Sequence, residues 1–214
     1  KLADAKEDAA AGAQHVTKIE GIMSRLSGCM LKDAADSFSV DFCYINATPS
    51  ARRRLVKELV SVPRSETQRL PYYARIAATL STVFTKDVKQ PLAAALEEEF
   101  GYLLAKKDQM HVENRLKNIR FLGECVKFRL VSTAVIFKAF KALLEDFTHH
   151  NVDVACTLLD TCGRYLVRSP DTAQRMGSML DIFLRLKAAK NLDGRQAALV
   201  ESAYLTCRPP DQPL

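Results

Sequence analysis

Apolar residues recur along most of this 214-residue chain at intervals of three and four, the spacing that lines up one face of an α-helix. Tyr73, Ile76, Ala77, Leu80 and Phe84 make one stripe, and Val112, Leu116, Ile119, Gly123 and Val126 make a second. Phe137, Phe140, Leu144 and Phe147 follow the same rule, as do Met176, Met179, Leu180, Phe183 and Leu186. Each stripe is one side of a rod that must be buried against a neighbour. No stretch alternates with period two, as a half-buried strand would.

The breaks between stripes carry start signals. Thr48-Pro49 and Ser169-Pro170 each place a capping hydroxyl ahead of a proline at the first helical position, where its missing N–H costs nothing. Ser132, Asn151 and Asp193 are further candidate N-caps. Pro63 and Pro71 bracket a short connection, because proline interrupts the helical hydrogen bonds. The pattern predicts helices over residues 15–28, 32–46, 49–61, 70–84, 88–107, 110–129, 133–147, 151–168, 170–189 and 193–207. Helices joined so briefly form antiparallel pairs that stack sideways, each covering its neighbour's apolar face. The expected fold is all-α: an α-solenoid of about five antiparallel helix pairs in one domain over residues 15–214, with 1–14 a linker or the frayed end of a helix.

Composition agrees with this picture. The chain is 48% hydrophobic and 26% charged, in the range of soluble globular proteins, and 8 Gly and 8 Pro are too few for the turns of an all-β fold. No apolar run approaches the roughly 20 residues of a membrane span. The start, KLADAKEDAAAGAQ, lacks the apolar core of a signal peptide and an initiator Met, so the chain is expected to be part of something longer. The six cysteines form no CxxC pair and sit mostly among apolar neighbours. They are expected to be reduced packing groups in a nucleocytoplasmic protein rather than disulfides.

DFTHHNVDVACTLLDTC, from Asp146 to Cys162, offers two imidazoles and two thiols, the ligand types of structural zinc. On a regular helix, however, Cys156 and Cys162 diverge by about 120°. Val152, Ala155, Cys156, Leu159, Gly163 and Leu166 form one apolar face, so the thiols read as packing groups and His149 and His150 as polar residues of the joint before Asn151. A di-iron site built on Asp146-x-x-His149 would need a second such pair, which four histidines do not supply. There is no phosphate-cradling glycine loop and no nucleophile elbow. Glu97–Glu99 reads as a charged helix face, and His15 and His111 stand alone. No catalytic residue, cofactor, metal or small-molecule substrate is expected, and no membrane contact.

The net charge of +6 is unevenly spread. Residues 51–75 hold seven Lys/Arg against two Glu, and 106–129 hold seven against three acids. In the first stretch Arg52, Arg53, Arg54 and Lys57 follow Pro49; in the second, Lys106, Lys107, Arg115, Arg120 and Lys127 make a stripe if the joint folds back. Arginine's forked donors suit phosphate or carboxylate, so these nine residues are the candidate contacts for RNA or an acidic partner. Phe121 and Phe128 could stack bases beside the second stripe.

LVSVPRSETQRLPYYARIAATL (59–80), KKDQMHVENRLKNIRFLGECVKF (106–128) and DFTHHNVDVACTLLDTCGRYLVRSPDT (146–172) together resemble the middle-domain family of eukaryotic initiation factor 4G. Within it they look like the second of three such domains in scaffold factors of nonsense-mediated mRNA decay, over about residues 38–210. The resemblance implies a HEAT-like array of ten helices. It also implies a non-catalytic scaffold whose complex includes a surveillance helicase, a kinase and an exon-junction-linked factor, with direct RNA binding as the alternative. In that family the third domain is the recognised dock for the exon-junction-linked factor and the second a spacer and interaction surface, so no binding residue carries over.

Overall fold

The computed structural model describes residues 15–45, 47–106 and 109–209, and among these no residue lies in a strand. The stretch 1–14, expected to be a linker or helix end, lies outside them. Two compact units divide the chain, Lys1–Ala95 and Leu96–Leu214.

In the first unit, α1 (residues 15–24) runs into a 3-10 turn at Leu26–Gly28, followed by α2 (Lys32–Tyr44) and α3 (Pro49–Val60). A second 3-10 turn, Thr67–Arg69, leads into α4 (Leu70–Ser81). The expected Thr48 cap forms: its hydroxyl accepts from the Ala51 N–H at 3.3 Å, with Pro49 at the first position. Ala35, Phe38 and Phe42 of α2 and Tyr73, Ile76, Ala77 and Leu80 of α4 are buried where these two helices pack together. Alternate helices thus share a core, as stacked pairs require. The Phe38 and Phe42 rings stack at 6.0 Å, and Arg75 forks onto both Asp36 oxygens at 2.7 and 2.8 Å.

The joint between α4 and the next helix differs from the periodic reading. Phe84 falls beyond the end of α4, and a π turn at Thr85–Lys89 precedes α5 (Gln90–Ala105), which passes from the first unit into the second. Pro91 has no N–H to give, and its ring would press on the carbonyl four residues back; a widened turn accommodates it.

The second unit continues with α6 (Val112–Lys127), α7 (Thr133–Glu145), α8 (His149–Leu158), a π turn at Leu159–Gly163, α9 (Arg164–Arg168), α10 (Pro170–Ala189) and α11 (Gly194–Cys207). Helices α8 and α9 are one rod interrupted by the π turn, so ten rods stand among the described residues. The Ser132 and Asp193 caps form, accepting from Ala134 N–H at 3.3 Å and Gln196 N–H at 2.7 Å. Ser169 makes no side-chain cap bond, although Pro170 opens α10 as expected.

α6 is the most enclosed rod. It packs against α8 and α7, and ten of its residues between Arg115 and Val126 are buried. Two glycines set the closeness of packing: a Cβ on Gly123 would lie 2.8 Å from Thr161 Cγ2, and one on Gly163 2.3 Å from Cys207 Sγ. Phe183 of α10 meets Phe140 and Phe147 edge-on, both at 5.9 Å. α6 ends with Arg129 at φ 59°, where the Leu130 N–H returns to the Cys125 carbonyl at 3.0 Å, the left-handed stop that usually takes glycine.

Candidate interaction surface

The cap at Thr48 fixes the phase of α3. Ala51, Leu55, Val56 and Leu59 turn inward, which leaves Arg53, Arg54, Lys57 and Glu58 exposed. Arg52 is different. Its side chain is 16% exposed, with Nη1 on Asp87 Oδ2 at 2.6 Å, Nε on the Ala47 carbonyl at 2.8 Å, and the guanidinium 3.9 Å above the Phe84 ring. It clamps the π turn to the start of α3 and is largely withdrawn from the candidate surface. Arg54 pairs with Glu58 at 3.4 Å across one helical turn. Arg54 and Lys57 form one wall of a groove of about 610 Å³, whose other sides come from the end of α1, the α3–α4 joint and Arg69. Sequence reading missed Arg69, whose carboxylate partner Glu66 lies three residues before it at 2.6 Å; that spacing was the available signal.

The second stripe does not assemble as expected. Arg115 donates from Nε to the Leu103 carbonyl at 3.1 Å, so α6 does fold back along the end of α5. That bond and another from Nη1 to Asn151 Oδ1 at 3.4 Å hold Arg115 inside, 7% exposed. Arg115 is therefore an internal strut, and its place among the surface candidates is corrected. Phe121 is buried and cannot stack on a base. Lys127 pairs with Glu124 at 2.8 Å, Arg120 is half-buried, and exposed Lys106 lies 5.4 Å from the Tyr102 ring centroid. Lys107 lies outside the described residues. Within α5 and α6 a second polar cluster is also interior: Asn118 donates to the Leu96 carbonyl at 3.1 Å and to Glu99 Oε2 at 2.8 Å, and Lys117 Nζ is 3.5 Å from Glu99 Oε1.

The histidines and cysteines are placed by packing. Asn151 is not the cap of α8. Thr148 takes the extended cap conformation, His149 and His150 form the first helical positions, and Asn151 reaches back from the first turn to the Asp146 carbonyl at 2.7 Å. That side-chain bond satisfies the turn without a cap at 151, which moves the start two residues earlier. His149 Nδ1 donates to Gln196 Oε1, while Gln196 Nε2 donates to the His149 carbonyl at 2.8 Å, tying α8 to α11. Five of the six free thiols are buried and Cys43 half-buried. Burial pushes Cys156, Cys162 and Cys207 up to about 12 and Cys125 up as well, so they stay protonated and apolar in character. Among the described residues no three His, Cys, Asp or Glu side chains gather to hold a metal ion, and no helix is long and apolar enough to cross a membrane.

The MIF4G domain model matches residues 16–210. The chain is 49% identical over 197 residues to "Regulator of nonsense transcripts UPF2" of Arabidopsis thaliana, covering 92% of this chain and 16% of that protein. It is 38% identical over 204 residues to "Regulator of nonsense transcripts 2" of Homo sapiens, covering 95% and 16%. With "Nonsense-mediated mRNA decay protein 2" of Schizosaccharomyces pombe it shares 27% over 194 residues, covering 91% and 18%. The chain therefore spans about a sixth of the length of these relatives.

Proposed function

Because the chain belongs to the MIF4G domain family, we propose that it serves as a non-catalytic scaffold domain of a nonsense-mediated mRNA decay factor, holding other domains and other decay factors in place through its helix faces. The observation that carries this reading is the 49% identity to the Arabidopsis regulator of nonsense transcripts over 92% of the chain. The chemistry of the interior supports it. Buried cysteines stay protonated, the buried Arg115 and Asn118 are tied to backbone carbonyls, and His149 is tied to Gln196. These groups serve packing, and a packed rod array contributes surface. The domain joins a complex whose members are the surveillance helicase, the kinase and the exon-junction-linked factor, in the cytoplasm.

Crosslinking tests this. The chain, embedded in its longer protein and treated with a lysine-reactive crosslinker, should give links from Lys57, Lys141 and Lys190 to adjoining domains or to those factors. Links confined to lysines within the chain itself would refute the scaffold reading. A direct RNA role is the second reading, favoured by the exposed cations Arg53, Arg54 and Lys57 on one helix. It requires affinity for oligouridine that falls steeply with salt, because released counterions drive such binding.

A further inference from the structure

We infer that the groove between the end of α1 and α3 docks an acidic segment of a partner protein that carries an apolar anchor residue. The inference rests on the scaffold reading and gives it an address and a chemistry.

The groove lies wholly in the first unit. One wall is α3, where Arg54 and Lys57 stand three apart and project on the same side. Arg69, already held by Glu66 at 2.6 Å, lines the same groove. Three cations thus line one space; Arg54 is paired with Glu58 at 3.4 Å and Arg69 with Glu66, so an entering carboxylate is met chiefly by Lys57. The hydroxyls of Ser24, Ser27 and Ser61 line the space too; Ser24 donates to the Gly21 carbonyl at 2.9 Å and Ser61 to the Lys57 carbonyl at 2.7 Å. Charge recognition of an entering group falls to the cations, so the groove favours negative charge. Exposed Pro63 joins the buried Met23, Leu26 and Val62 in the lining, so a side chain between the acids has an apolar place to settle.

The same features disfavour a nucleic acid. Tyr73, the aromatic residue of the lining, is 4% exposed and offers no face for a base. Glu58 sits beside the cations, where a continuous run of phosphates would meet it. A peptide can place a carboxylate at Lys57 and leave Glu58 with Arg54 and Glu66 with Arg69.

The test uses the intact chain and anisotropy of three labelled probes: a short synthetic peptide of Glu and Leu, its Gln-for-Glu counterpart, and oligouridine. The acidic peptide should bind about tenfold tighter than the neutral one. Lys57→Glu should weaken it about tenfold, whereas Lys138→Glu, an exposed reversal on α7, should change it less than about twofold. Glu58→Gln should strengthen it by about twofold to fivefold. Because charge removal at Glu58 is expected to raise affinity, a fold defect cannot imitate the result. Equal binding of the two peptides, or equal effects of Lys57→Glu and Lys138→Glu, overturns the proposal. Displacement of the peptide by oligouridine also overturns it, in favour of nucleic acid. If an Arg54→Glu chain still crosslinks through Lys57 to its neighbours as the native chain does, the groove proposal fails while the scaffold reading stands.

Discussion

Replacing Gly163 by alanine puts one methyl group where the structure has no room for it. The added Cβ would sit 2.3 Å from Cys207 Sγ and 3.5 Å from two Leu159 side-chain atoms. Non-bonded heavy atoms settle at about 3.5–4.0 Å, so a gap of more than about 1 Å must open between the π turn and α11. Cys207 is buried and cannot swing into solvent. Overpacking of this kind costs about 1–3 kcal/mol, and the close approach argues for the upper part. Against it stands a gain of up to about 1 kcal/mol from the better helix propensity of alanine. The expected net loss is about 1–2 kcal/mol, a fall in Tm of about 2–8 °C for a chain of this size. Circular dichroism melts and urea titrations read it directly. The decisive arm is the double variant. Cys207→Ala removes the sulfur, so in that background Gly163→Ala should be neutral or stabilising, giving a coupling of at least about 1 kcal/mol. The same cost in both backgrounds would refute the reasoning, and so would a Gly163→Ala chain as stable as the native one.

Two further outcomes follow from the interior polar groups. Arg115→Ala removes the donor to Asn151 Oδ1 and one of two donors to the Leu103 carbonyl, so urea unfolding should register a loss of about 1–3 kcal/mol; a surface-like change under about 0.5 kcal/mol would contradict its interior role. The Arg75 hydrogen bonds hold the Asp36 carboxyl below the usual carboxylate range, and a group whose folded value is depressed contributes stability above its unfolded pKa, about 3.9, and loses it as pH falls through the folded value. The Tm gap between native and Asp36→Asn chains should therefore be full near neutrality and close below about pH 4; a gap independent of pH would contradict the assignment.

The rods were legible because local rules write them. The stripe through Phe137, Phe140, Leu144 and Phe147 is buried as read, and the caps at Thr48, Ser132 and Asp193 form. The candidate surface was legible only in part. Periodicity assigns a charged residue to solvent on the premise that a helix has one buried face, and that premise holds for α3, where Arg53 and Lys57 are exposed. It fails for α6, which neighbours enclose from several sides, so Arg115, Lys117 and Glu124 are interior despite their charge.

By itself, then, the sequence determined which segments are helical, where most begin and which side of each is apolar, since these depend on residues within one or two turns of each other. Only the tertiary structure decided which cations reach solvent and where a groove opens between them. It also decided why glycine is needed at position 163. Those outcomes depend on which distant rod lies overhead: Leu103 and Asn151 over Arg115, Asp87 beside Arg52, Cys207 against Gly163. No short-range pattern encodes that proximity.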